Sequence, residues 1–549
     1  MPTVTLNRKV FENLVGKKIS DNELKDRISM IGTDLESLDK NEIVVEIFPN
    51  RPDMLSEQGF GRALSSFMDI KTGLKRFEVK PSGDKVIIDK SVKNIRPYTT
   101  CAIVKGLKFT DEKIRELIQI QEKLDVTFCR KRKKAAIGIY PFEKIKTPIR
   151  YLALKPEDIK FIPLESKEIM NANQILIKHP TGRKYGHLLE GLKLYPVFID
   201  ANNEVLSVPP IINSDNTGRI TENTTDVFIE CSGFDFKVLN DLLNIIVTAL
   251  EEMGGKIYSM ELVYPEKKRT TPILEPRKMK IKTSYVNKIL GLDLKEKEIK
   301  KLLERMGFGY NKENVLIPPY RSDILHEIDL VEDISIAYGY ENLKPEIPNI
   351  ATIGVEDGFS KFKNKISNIL VGLKLLETNT YHISNKQDQA NKMELNIKPI
   401  ELENALTIEY DVMRSWMVPS LLGVLSTNKH NEYSQNLFES GIVFKKGGSE
   451  TGVEEFTRLA VVTTHKDTNF TEVKQILDYL LNGVGLKAEI QDTEHPSFIP
   501  GRVGRVSVNG KNVAYIGELS PKVLSNWGIE MPVSCFELNL TELYKLIEK

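Results

Sequence analysis

Residues 318–340 read PPYRSDILHEIDLVEDISIAYGY. Its two prolines end an extended stretch, after which apolar side chains recur at helical spacing. These side chains are Ile328, Val331, Ile334 or Ser335, and Tyr338. The spacing predicts a helix with one apolar face.

A different face of this predicted helix carries carboxylates, because Asp329, Glu332 and Asp333 stand at positions i, i+3 and i+4. Asp323 could close the same patch from the preceding loop. Like charges at this spacing repel, so the pattern predicts either a nearby cation or a face open to water. A cluster of carboxylate oxygens suits Mg²⁺. The alternative is a solvated acidic first turn at the positive end of the helix dipole.

The longer run 318–343, which ends in YGYENL, closely resembles the hallmark of the β subunit of phenylalanyl-tRNA synthetase. In that family the run ends a small domain with a nucleic-acid-binding-like fold. The resemblance implies a Mg²⁺ site shared with an α subunit. The positions that match this site are Asp323, Asp329, Glu332 and Asp333.

Length and composition limit the class of protein. A chain of 549 residues predicts about three to five domains. Its 41% apolar and 28% charged residues are typical of a globular protein. With 77 Lys and Arg against 76 Asp and Glu, any nucleic-acid contact has to come from local basic patches.

The spacing of cysteine and histidine argues against zinc and disulfide chemistry. Cys101, Cys129, Cys231 and Cys535 form no CxxC pair and predict reduced thiols in a cytoplasmic protein. The seven histidines form no HExxH pair, so we expect no catalytic zinc. The N-terminus lacks the layout of a signal peptide, and no window approaches about 18 uninterrupted apolar residues. We therefore expect no membrane segment.

Residues 1–85 predict a compact α+β domain. The β-rich run 43–48 is stopped by the turn 49–53, which reads PNRPD. This turn resembles an element in the first domain of the same family's β subunit. Its Asn, Arg and Asp could bind a ligand, but turn-forming and helix-capping roles explain them as well and are preferred.

Residues 86–270 predict a second unit of mixed α/β structure. After a predicted helix that starts at residue 111 comes the most basic run of the chain, RKRKK at 130–134. This run is either a solvated loop or a phosphate contact. Further predictions are strands at 135–140 and 174–177, a turn-rich loop at 179–187, and a hairpin at 196–208.

A third strand of this unit is predicted at 226–233. It places Glu230 and Ser232 on the same face, because side chains of a strand alternate with a period of two. A helix predicted from Phe236 to Met253 then packs through apolar residues.

Three segments of this unit resemble the editing domain of archaeal and eukaryotic-cytosolic type β subunits. They are AAIGIYPFEKIKTPIRY (135–151), KHPTGRKYGHLLEGLKLYPVFIDANNEVLSVPPIINS (178–214) and FIECSG (228–233). That domain hydrolyses tyrosine wrongly joined to the tRNA for phenylalanine. A pocket shaped for phenyl rejects an analogue with one added hydroxyl only about 10²-fold, whereas translation needs about 10⁴–10⁵.

The resemblance implies an editing pocket at Glu230, Ser207 and Ser232. Glu230 would accept the phenol hydroxyl, while the two serines would hold the aminoacyl end or water. The family often has Asp-x-Thr where this chain has Glu230-Cys231-Ser232, so the carboxylate is displaced by about one methylene. The alternative is that Glu230 is only a charge at a sheet edge.

Residues 271–345 predict the small third domain, which ends with the acidic helix. An earlier helix of this domain has one apolar face and is closed by Gly307. The face consists of Ile299, Leu302, Leu303 and Met306.

Residues 350–549 look like the family's catalytic-like module, a class II synthetase-type antiparallel sheet without an active site. The matching segments are RSWMVPSLLGVLSTN (414–428), QNLFESG (435–441), HPSFIPGR (495–502) and YIGELSP (515–521). No glycine-rich segment ends in an arginine suited to ATP, and no P-loop is present. We expect its apolar helices to contact a catalytic α subunit. The alternative is a self-contained core with no partner.

The chain is therefore identified as a member of the phenylalanyl-tRNA synthetase β-subunit family, with an α+β multidomain fold. The lack of a C-terminal anticodon-binding domain and of an inserted oligonucleotide-binding barrel favours the archaeal type. The resemblance implies an (αβ)₂ heterotetramer that joins phenylalanine to tRNA(Phe) with ATP and Mg²⁺, the ATP chemistry being in the α subunit. This chain would contribute assembly, tRNA contacts and proofreading.

Two alternatives come from other classes of protein. A free-standing aminoacyl-tRNA deacylase would explain the editing domain but would leave residues 350–549 without a role. A non-enzymatic nucleic-acid-binding scaffold is suggested by the third domain, and it would show a steep salt dependence without tRNA selectivity.

Overall fold

The computed structural model describes residues 2–547, which form two compact units that divide between Ile347 and Pro348. Among these residues, the first unit holds three sheets of three or more strands and the second holds two. No helix in the described range is long and apolar enough to cross a membrane.

The first unit begins with a three-stranded antiparallel sheet and three helices. The strands are Thr3–Asn7, Asp34–Leu38 and Glu42–Glu46, with the last of them in the centre. The helices are Arg8–Val15, Asp21–Met30 and Glu57–Phe67. Ile43 and Val45 alternate along the central strand and are fully buried, as a period of two requires.

A mixed sheet of ten strands forms the centre of the first unit. Nine strands follow one another in the order Ile212–Asn213, Val205–Val208, Tyr195–Ile199, Ile149–Leu154, Val79–Ile88, Lys256–Val263, Tyr98–Lys105, Val227–Gly233 and Ala135–Pro141. The tenth, Lys268–Thr271, pairs with Lys256–Val263, and a separate pair joins Lys160–Phe161 to Met170–Asn171. The helices of this region are Asp111–Val126, Ala172–Lys178, Pro180–Tyr185, Asp215–Gly218 and Phe236–Glu252.

The strand Val227–Gly233 lies in the interior of this sheet. It pairs along its whole length with Tyr98–Lys105 on one side and with Ala135–Pro141 on the other. All seven of its residues are buried. The strand predicted at 226–233 is therefore confirmed, and the alternative that Glu230 is a charge at a sheet edge is wrong.

Residues 174–177, predicted as a strand, lie instead in the helix Ala172–Lys178. The helix begins with a reciprocal capping box, in which the side chains of Asn171 and Gln174 each accept a hydrogen bond from the other residue's backbone N–H. A run of four mostly apolar residues is too short for its periodicity to distinguish a strand from a helix. The capping box at Asn171 and Gln174 instead favours the helix.

Residues 179–187, predicted as a loop, contain the helix Pro180–Tyr185. His179 caps its start, and proline at the first helical position has no N–H to lose. A Cβ on Gly182 would lie 1.9 Å from the carbonyl oxygen of Ile175, so glycine permits the two short helices to pack closely.

A three-stranded antiparallel sheet and three helices complete the first unit. The strands are Arg277–Lys280, Gly309–Asn311 and Asn314–Ile317, with the last of them in the centre. The helices are Thr283–Leu290, Glu296–Arg305 and Glu327–Tyr338.

The helix Glu327–Tyr338 confirms the predicted helical spacing but changes the assignment of its faces. Val331 and Ile334 are buried as predicted, whereas Ile328 is 40% exposed. Asp333, predicted on the carboxylate face, is buried. A buried carboxylate needs a hydrogen-bonding or charged partner, which the surrounding chain supplies.

A seven-stranded sheet crosses the second unit, and its strands pair antiparallel except for the first pair. In order they are Leu376–Glu377, Leu437–Lys446, Val453–Thr464, Val533–Asn539, Lys511–Leu519, Phe498–Val508 and Glu489–Asp492. Ile383–Ser384, Val412–Met413 and Ile400–Glu401 form a small separate sheet. The helices are Gly358–Gly372, Lys386–Gln389, Val418–Thr427, Phe470–Gly483, Pro521–Trp527 and Leu540–Ile547.

The predicted mixed α/β multidomain fold is confirmed at this level of description. The finer division into four domains stays a prediction. Its boundary between residues 85 and 86 falls inside the strand Val79–Ile88, which belongs to the large sheet. Because a strand is not divided between two domains, a boundary in this part of the chain would precede Val79.

Candidate functional sites

A buried arginine holds two of the four carboxylates that the sequence predicts as metal ligands. The Arg321 guanidinium donates to both carboxylate oxygens of Asp323, with shortest distances of 2.9 and 2.7 Å, and to Asp333 Oδ2 at 2.6 Å. Arg321 is 2% exposed, and its guanidinium lies over the ring of Phe308. It therefore ties the loop before the helix Glu327–Tyr338 to the helix itself.

The charges in this cluster stabilise one another against burial. Burial raises the pKa of Asp323, but Arg321 outweighs burial and holds that pKa below its usual value. Burial also raises the pKa of Asp333, and there Arg321 offsets the rise only in part. Although burial lowers the pKa of Arg321, the two carboxylates raise it well above its usual value. The guanidinium therefore stays charged.

The other two predicted ligands have partners of a different kind. Asp329 Oδ2 accepts the backbone N–H groups of Leu325 and His326, each at 2.7 Å, and so caps the start of the helix. Glu332 is exposed, and its Oε1 accepts a hydrogen bond from the Tyr340 hydroxyl at 2.8 Å.

These contacts do not fit a Mg²⁺ ion, which needs near-octahedral oxygen ligands at about 2.0–2.1 Å. One guanidinium occupies two of the carboxylates, and two backbone N–H groups occupy a third. Within residues 2–547, no group of three or more His, Cys, Asp or Glu side chains is arranged to hold a metal ion. The Mg²⁺ site stays a prediction.

The PNRPD turn contributes a second buried ion pair beside the first. Arg51 donates from Nε and Nη2 to the two oxygens of Asp53 at 2.9 and 2.8 Å. Burial and the nearby Arg321 lower the pKa of Arg51, but Asp53 and Asp323 together outweigh both and raise it. This geometry supports the predicted structural role of the turn.

Glu230 and Ser207 line a cavity of about 330 Å³ in the first unit. Glu230 Oε1 accepts a hydrogen bond from the Tyr140 hydroxyl at 3.2 Å. Glu230 Oε2 and the Ser207 hydroxyl are buried and have no hydrogen-bond partner among the described residues. Since an unsatisfied buried polar atom costs about 1–3 kcal/mol, a ligand hydroxyl that bonds them would be favoured.

The space for the Glu230 carboxyl comes from Gly138, which stands directly opposite on the neighbouring strand. A Cβ on Gly138 would lie 2.5 Å from Glu230 Oε1 and 2.2 Å from the Tyr140 hydroxyl oxygen. Glycine at this position therefore lets the two side chains meet above the sheet.

Burial raises the pKa of Glu230 to about 8, although Tyr140, Arg96 and Ser232 oppose the rise. The carboxyl is therefore mostly protonated at neutral pH, and it can donate as well as accept a hydrogen bond.

Ser232 shares the strand of Glu230 and is fully buried, but it is not among the residues that line the cavity. Its hydroxyl accepts a hydrogen bond from Arg96 Nε at 3.1 Å, and its carbonyl accepts one from Arg96 Nη2 at 2.6 Å. The geometry thus brings Glu230 and Ser207 together and makes Ser232 the anchor of a buried arginine.

The cavity also contains residues that no sequence motif indicated. Asp125 lines it with a buried Oδ1 that has no hydrogen-bond partner in the described chain, while its Oδ2 accepts from Arg132 at 3.1 Å. Burial raises the pKa of Asp125 to about 6 against the effect of Arg132. Arg132 belongs to the basic run 130–134, and it turns inward to bond the carbonyl of Ile211 at 2.8 Å.

His179 also lines the cavity, but both nitrogens of its ring are engaged. Nδ1 accepts the backbone N–H of Thr181, and Nε2 lies 3.2 Å from the carbonyl oxygen of Leu164. Nδ1 therefore carries no proton, and Nε2 carries the ring proton. Because both nitrogens are engaged, this histidine caps a helix and is not available as a general base.

Comparison with known proteins covers almost the whole chain. Residues 279–340 match the family model described as the tRNA synthetase B5 domain, and residues 343–540 match the one described as the phenylalanyl tRNA synthetase beta chain CLM domain. The chain is 40% identical over 570 residues to the phenylalanine–tRNA ligase beta subunit of Thermococcus kodakarensis, covering 99% of both chains. It is 41% identical over 556 residues to that of Pyrococcus abyssi, covering 99% of this chain and 100% of the relative.

A solved structure is similar to part of the chain. It is an N-terminal fragment of the phenylalanyl-tRNA synthetase beta subunit from Pyrococcus horikoshii, with 39% identity and a TM-score of 0.59. The similarity covers 61% of this chain and 99% of the fragment.

Replacing Arg321 by alanine should destabilise the first unit by about 3–5 kcal/mol, because it leaves two buried carboxylates without a counter-ion. Hydrogen–deuterium exchange in residues 327–338 of the full chain would report the loss as faster exchange. Arg115→Ala is the matched control, since Arg115 forms an exposed pair with Asp111. Equal exchange in the two variants would contradict the role given to Arg321.

Adding Mg²⁺ or removing it with EDTA should leave the melting temperature of the isolated full chain unchanged, because the carboxylates already have partners. Differential scanning calorimetry at both conditions would test this. The opposite result would be a melting temperature that rises with Mg²⁺ in the wild type but not in the double variant Asp329→Asn, Glu332→Gln. It would show that the carboxylates rearrange around a metal.

Glu230→Gln should make the first unit less sensitive to alkaline pH. Because the pKa of Glu230 is about 8 in the fold and lower in the unfolded chain, its burial destabilises the fold progressively as pH rises from about 5 to 8. Relative to the wild type, the free energy of unfolding of the variant should rise by at most about 4 kcal/mol across this pH range. Urea unfolding at several pH values would measure the difference, and a constant difference would refute the raised pKa.

Proposed function

The chain belongs to the phenylalanine–tRNA ligase beta-subunit family, and from this premise we propose that it has two roles. It assembles with a catalytic α subunit into an (αβ)₂ heterotetramer, which joins phenylalanine to tRNA(Phe) with ATP. It also hydrolyses tyrosyl-tRNA(Phe) formed by error. The near full-length similarity to the two archaeal beta subunits supports the first role.

One observation carries the hydrolytic role: a cavity in which Glu230 Oε2 and the Ser207 hydroxyl are buried with no hydrogen-bond partner in the described part of the chain. A phenol hydroxyl placed between them would satisfy both atoms. A phenylalanyl group has no hydroxyl and would leave both unsatisfied. A site built to bond a hydroxyl rejects an analogue that lacks it by about 10⁴–10⁵-fold, which is the discrimination that proofreading needs.

Two buried carboxyls with different pKa values give this cavity an acid and a base. Glu230, with a pKa of about 8, is mostly protonated at neutral pH, whereas Asp125, with a pKa of about 6, is mostly ionised. Groups whose surroundings separate their pKa values in this way take different roles. Glu230 keeps its proton and forms the hydrogen bond to the phenol, whereas the ionised Asp125 is the base.

The reaction is hydrolysis of an ester. Asp125 Oδ1 takes a proton from a water molecule as the water oxygen bonds to the carbonyl carbon of the tyrosyl ester. The tetrahedral intermediate then breaks its bond to the ribose oxygen, which receives the proton, so that tyrosine and free tRNA leave. Arg132 holds the other oxygen of Asp125 and so keeps the base in position.

Exposed apolar side chains in the second unit support an interface with the α subunit. Leu406 is fully exposed, and Ile408 and Tyr381 are 86% and 76% exposed. Clustered apolar residues on a surface mark interaction sites. The alternative of a free-standing deacylase gives residues 348–547 no role, and no contact in the structure favours it.

The decisive experiment measures deacylation of tyrosyl-tRNA(Phe) by this chain co-expressed with its α subunit. We expect Glu230→Ala to lower kcat/KM for tyrosyl-tRNA(Phe) by about 10²-fold or more, because the phenol loses its partner. Asp125→Asn should lower kcat and remove an acidic limb near pH 6 from the rate profile. Glu204→Ala, an exposed acid of the same region, is the matched control and should leave the rate unchanged.

Phenylalanylation by the same preparations provides the second readout. All three variants should retain it, which would show that the complex is intact. If the wild type does not hydrolyse tyrosyl-tRNA(Phe), the hydrolytic role is wrong while the role in assembly stands.

A further inference from the structure

A second cavity, of about 550 Å³, lies against the seven-stranded sheet of the second unit and has no part in the reactions proposed above. Arg505, Tyr515 and Glu537 are direct partners on three neighbouring strands. Residues directly opposite one another in antiparallel strands point to the same side, so these three side chains form one wall.

The lining of this cavity carries much more positive than negative charge. Its cationic residues are Lys398, Lys445, Lys446, Arg458 and Arg505, and its one acid among the described residues is Glu537. Glu537 is already fully engaged, because Oε1 accepts from Arg458 at 2.7 Å and Oε2 accepts the backbone N–H groups of Met417 and Val418.

The remaining four cations have no ion-pair partner in the part of the chain that the structure describes. The positive charge of the cavity acts on Lys445, whose pKa is lowered first by burial and then by Arg458 and Arg505, against the opposing effect of Glu537. Arg458 also has a buried Nε without a hydrogen-bond partner in residues 2–547. Converging cations and an unsatisfied donor favour a bound anion.

The same cavity has an aromatic wall. The His495 ring lies 5.0 Å from Tyr515, 5.1 Å from Phe498 and 6.0 Å from Trp416, measured between ring centroids. The Arg505 guanidinium lies 4.1 Å above the Tyr515 ring. Burial and then Arg505 lower the pKa of His495, so this ring is neutral at neutral pH. Flat, polarisable surfaces of this kind stack against a nucleobase.

We propose that this cavity binds a nucleoside phosphate. The base stacks against His495 and Arg505, and the phosphates contact the lysines at positions 398, 445 and 446. A cavity of about 550 Å³ falls within the usual size of small-molecule sites. Because the sequence of this unit carries no ATP-activating motif, the nucleotide is bound without being consumed.

The nucleotide has two chemical sources, a free nucleotide and the single-stranded end of an RNA. Both present a base next to phosphate charge, and the cavity recognises that combination. Adenosine alone offers only the ring, and inorganic triphosphate offers only the charge. Adenosine and triphosphate therefore test recognition of the base and of the phosphates separately. A free nucleotide and a single-stranded RNA test which of the two sources the ligand comes from.

The test is isothermal titration calorimetry of ATP into the isolated full chain, which lacks the ATP site of an α subunit. We expect binding by the wild type, and binding weakened by about tenfold in each of Arg505→Gln and Lys445→Gln. Lys487→Gln removes one exposed lysine from the same unit outside the cavity, and it should change the affinity less than twofold. Equal melting temperatures of the variants would show that they are folded.

Adenosine and triphosphate should each bind more weakly than ATP. Displacement of ATP by a short single-stranded RNA at lower concentration would assign the nucleotide to RNA, and failure to displace it would assign a free nucleotide. The proposal is overturned if the wild type does not bind ATP, if triphosphate binds as tightly as ATP, or if Lys487→Gln weakens binding as much as Arg505→Gln.

Discussion

The last part of the first unit depends on one buried guanidinium. Arg321 joins a loop carboxylate, Asp323, to a helix carboxylate, Asp333, and an ion pair of the N-terminal PNRPD turn lies close by. A charge buried in this way is tolerated only when it is paired, since an unpaired one costs several kcal/mol. The same pairing occupies oxygens of two of the four carboxylates that are predicted to bind Mg²⁺. A bidentate guanidinium satisfies the lone pairs that Mg²⁺ would require.

Glu230 is also a buried carboxyl, but it is accommodated by keeping its proton and not by pairing with a cation. It is buried on an interior strand of a sheet, where burial outweighs the nearby Arg96 and the carboxyl keeps its proton. A neutral acid can donate and accept hydrogen bonds, so it suits an uncharged phenol. Gly138 makes the arrangement possible because any larger residue would occupy the place of the carboxyl. The raised pKa and the proposed recognition therefore have one cause, the interior position of the strand.

The two cavities differ in the kind of ligand that their charges allow. In the cavity at Glu230, Arg132 pairs with Asp125, and Oε2 of the neutral Glu230 has no hydrogen-bond partner among the described residues, so the cavity suits a hydroxyl-bearing ring. In the cavity of the second unit, four cations beside aromatic rings have no ion-pair partner within residues 2–547, so the cavity suits a base with phosphates.

The sequence alone determined the family, the acidic helix and the strand of Glu230, because these rest on local periodicity and on motifs whose residues are close together in the chain. It also indicated that Glu230 and Ser207 belong to one pocket, through resemblance to the family. Only the tertiary structure brought Asp125 and Arg132 to that pocket and gave Asp323 and Asp333 to Arg321. The physical reason is that pairing and pKa depend on burial and on neighbours distant in sequence. Spacing along a helix reports which side chains share a face, but it does not report what the rest of the chain places against that face.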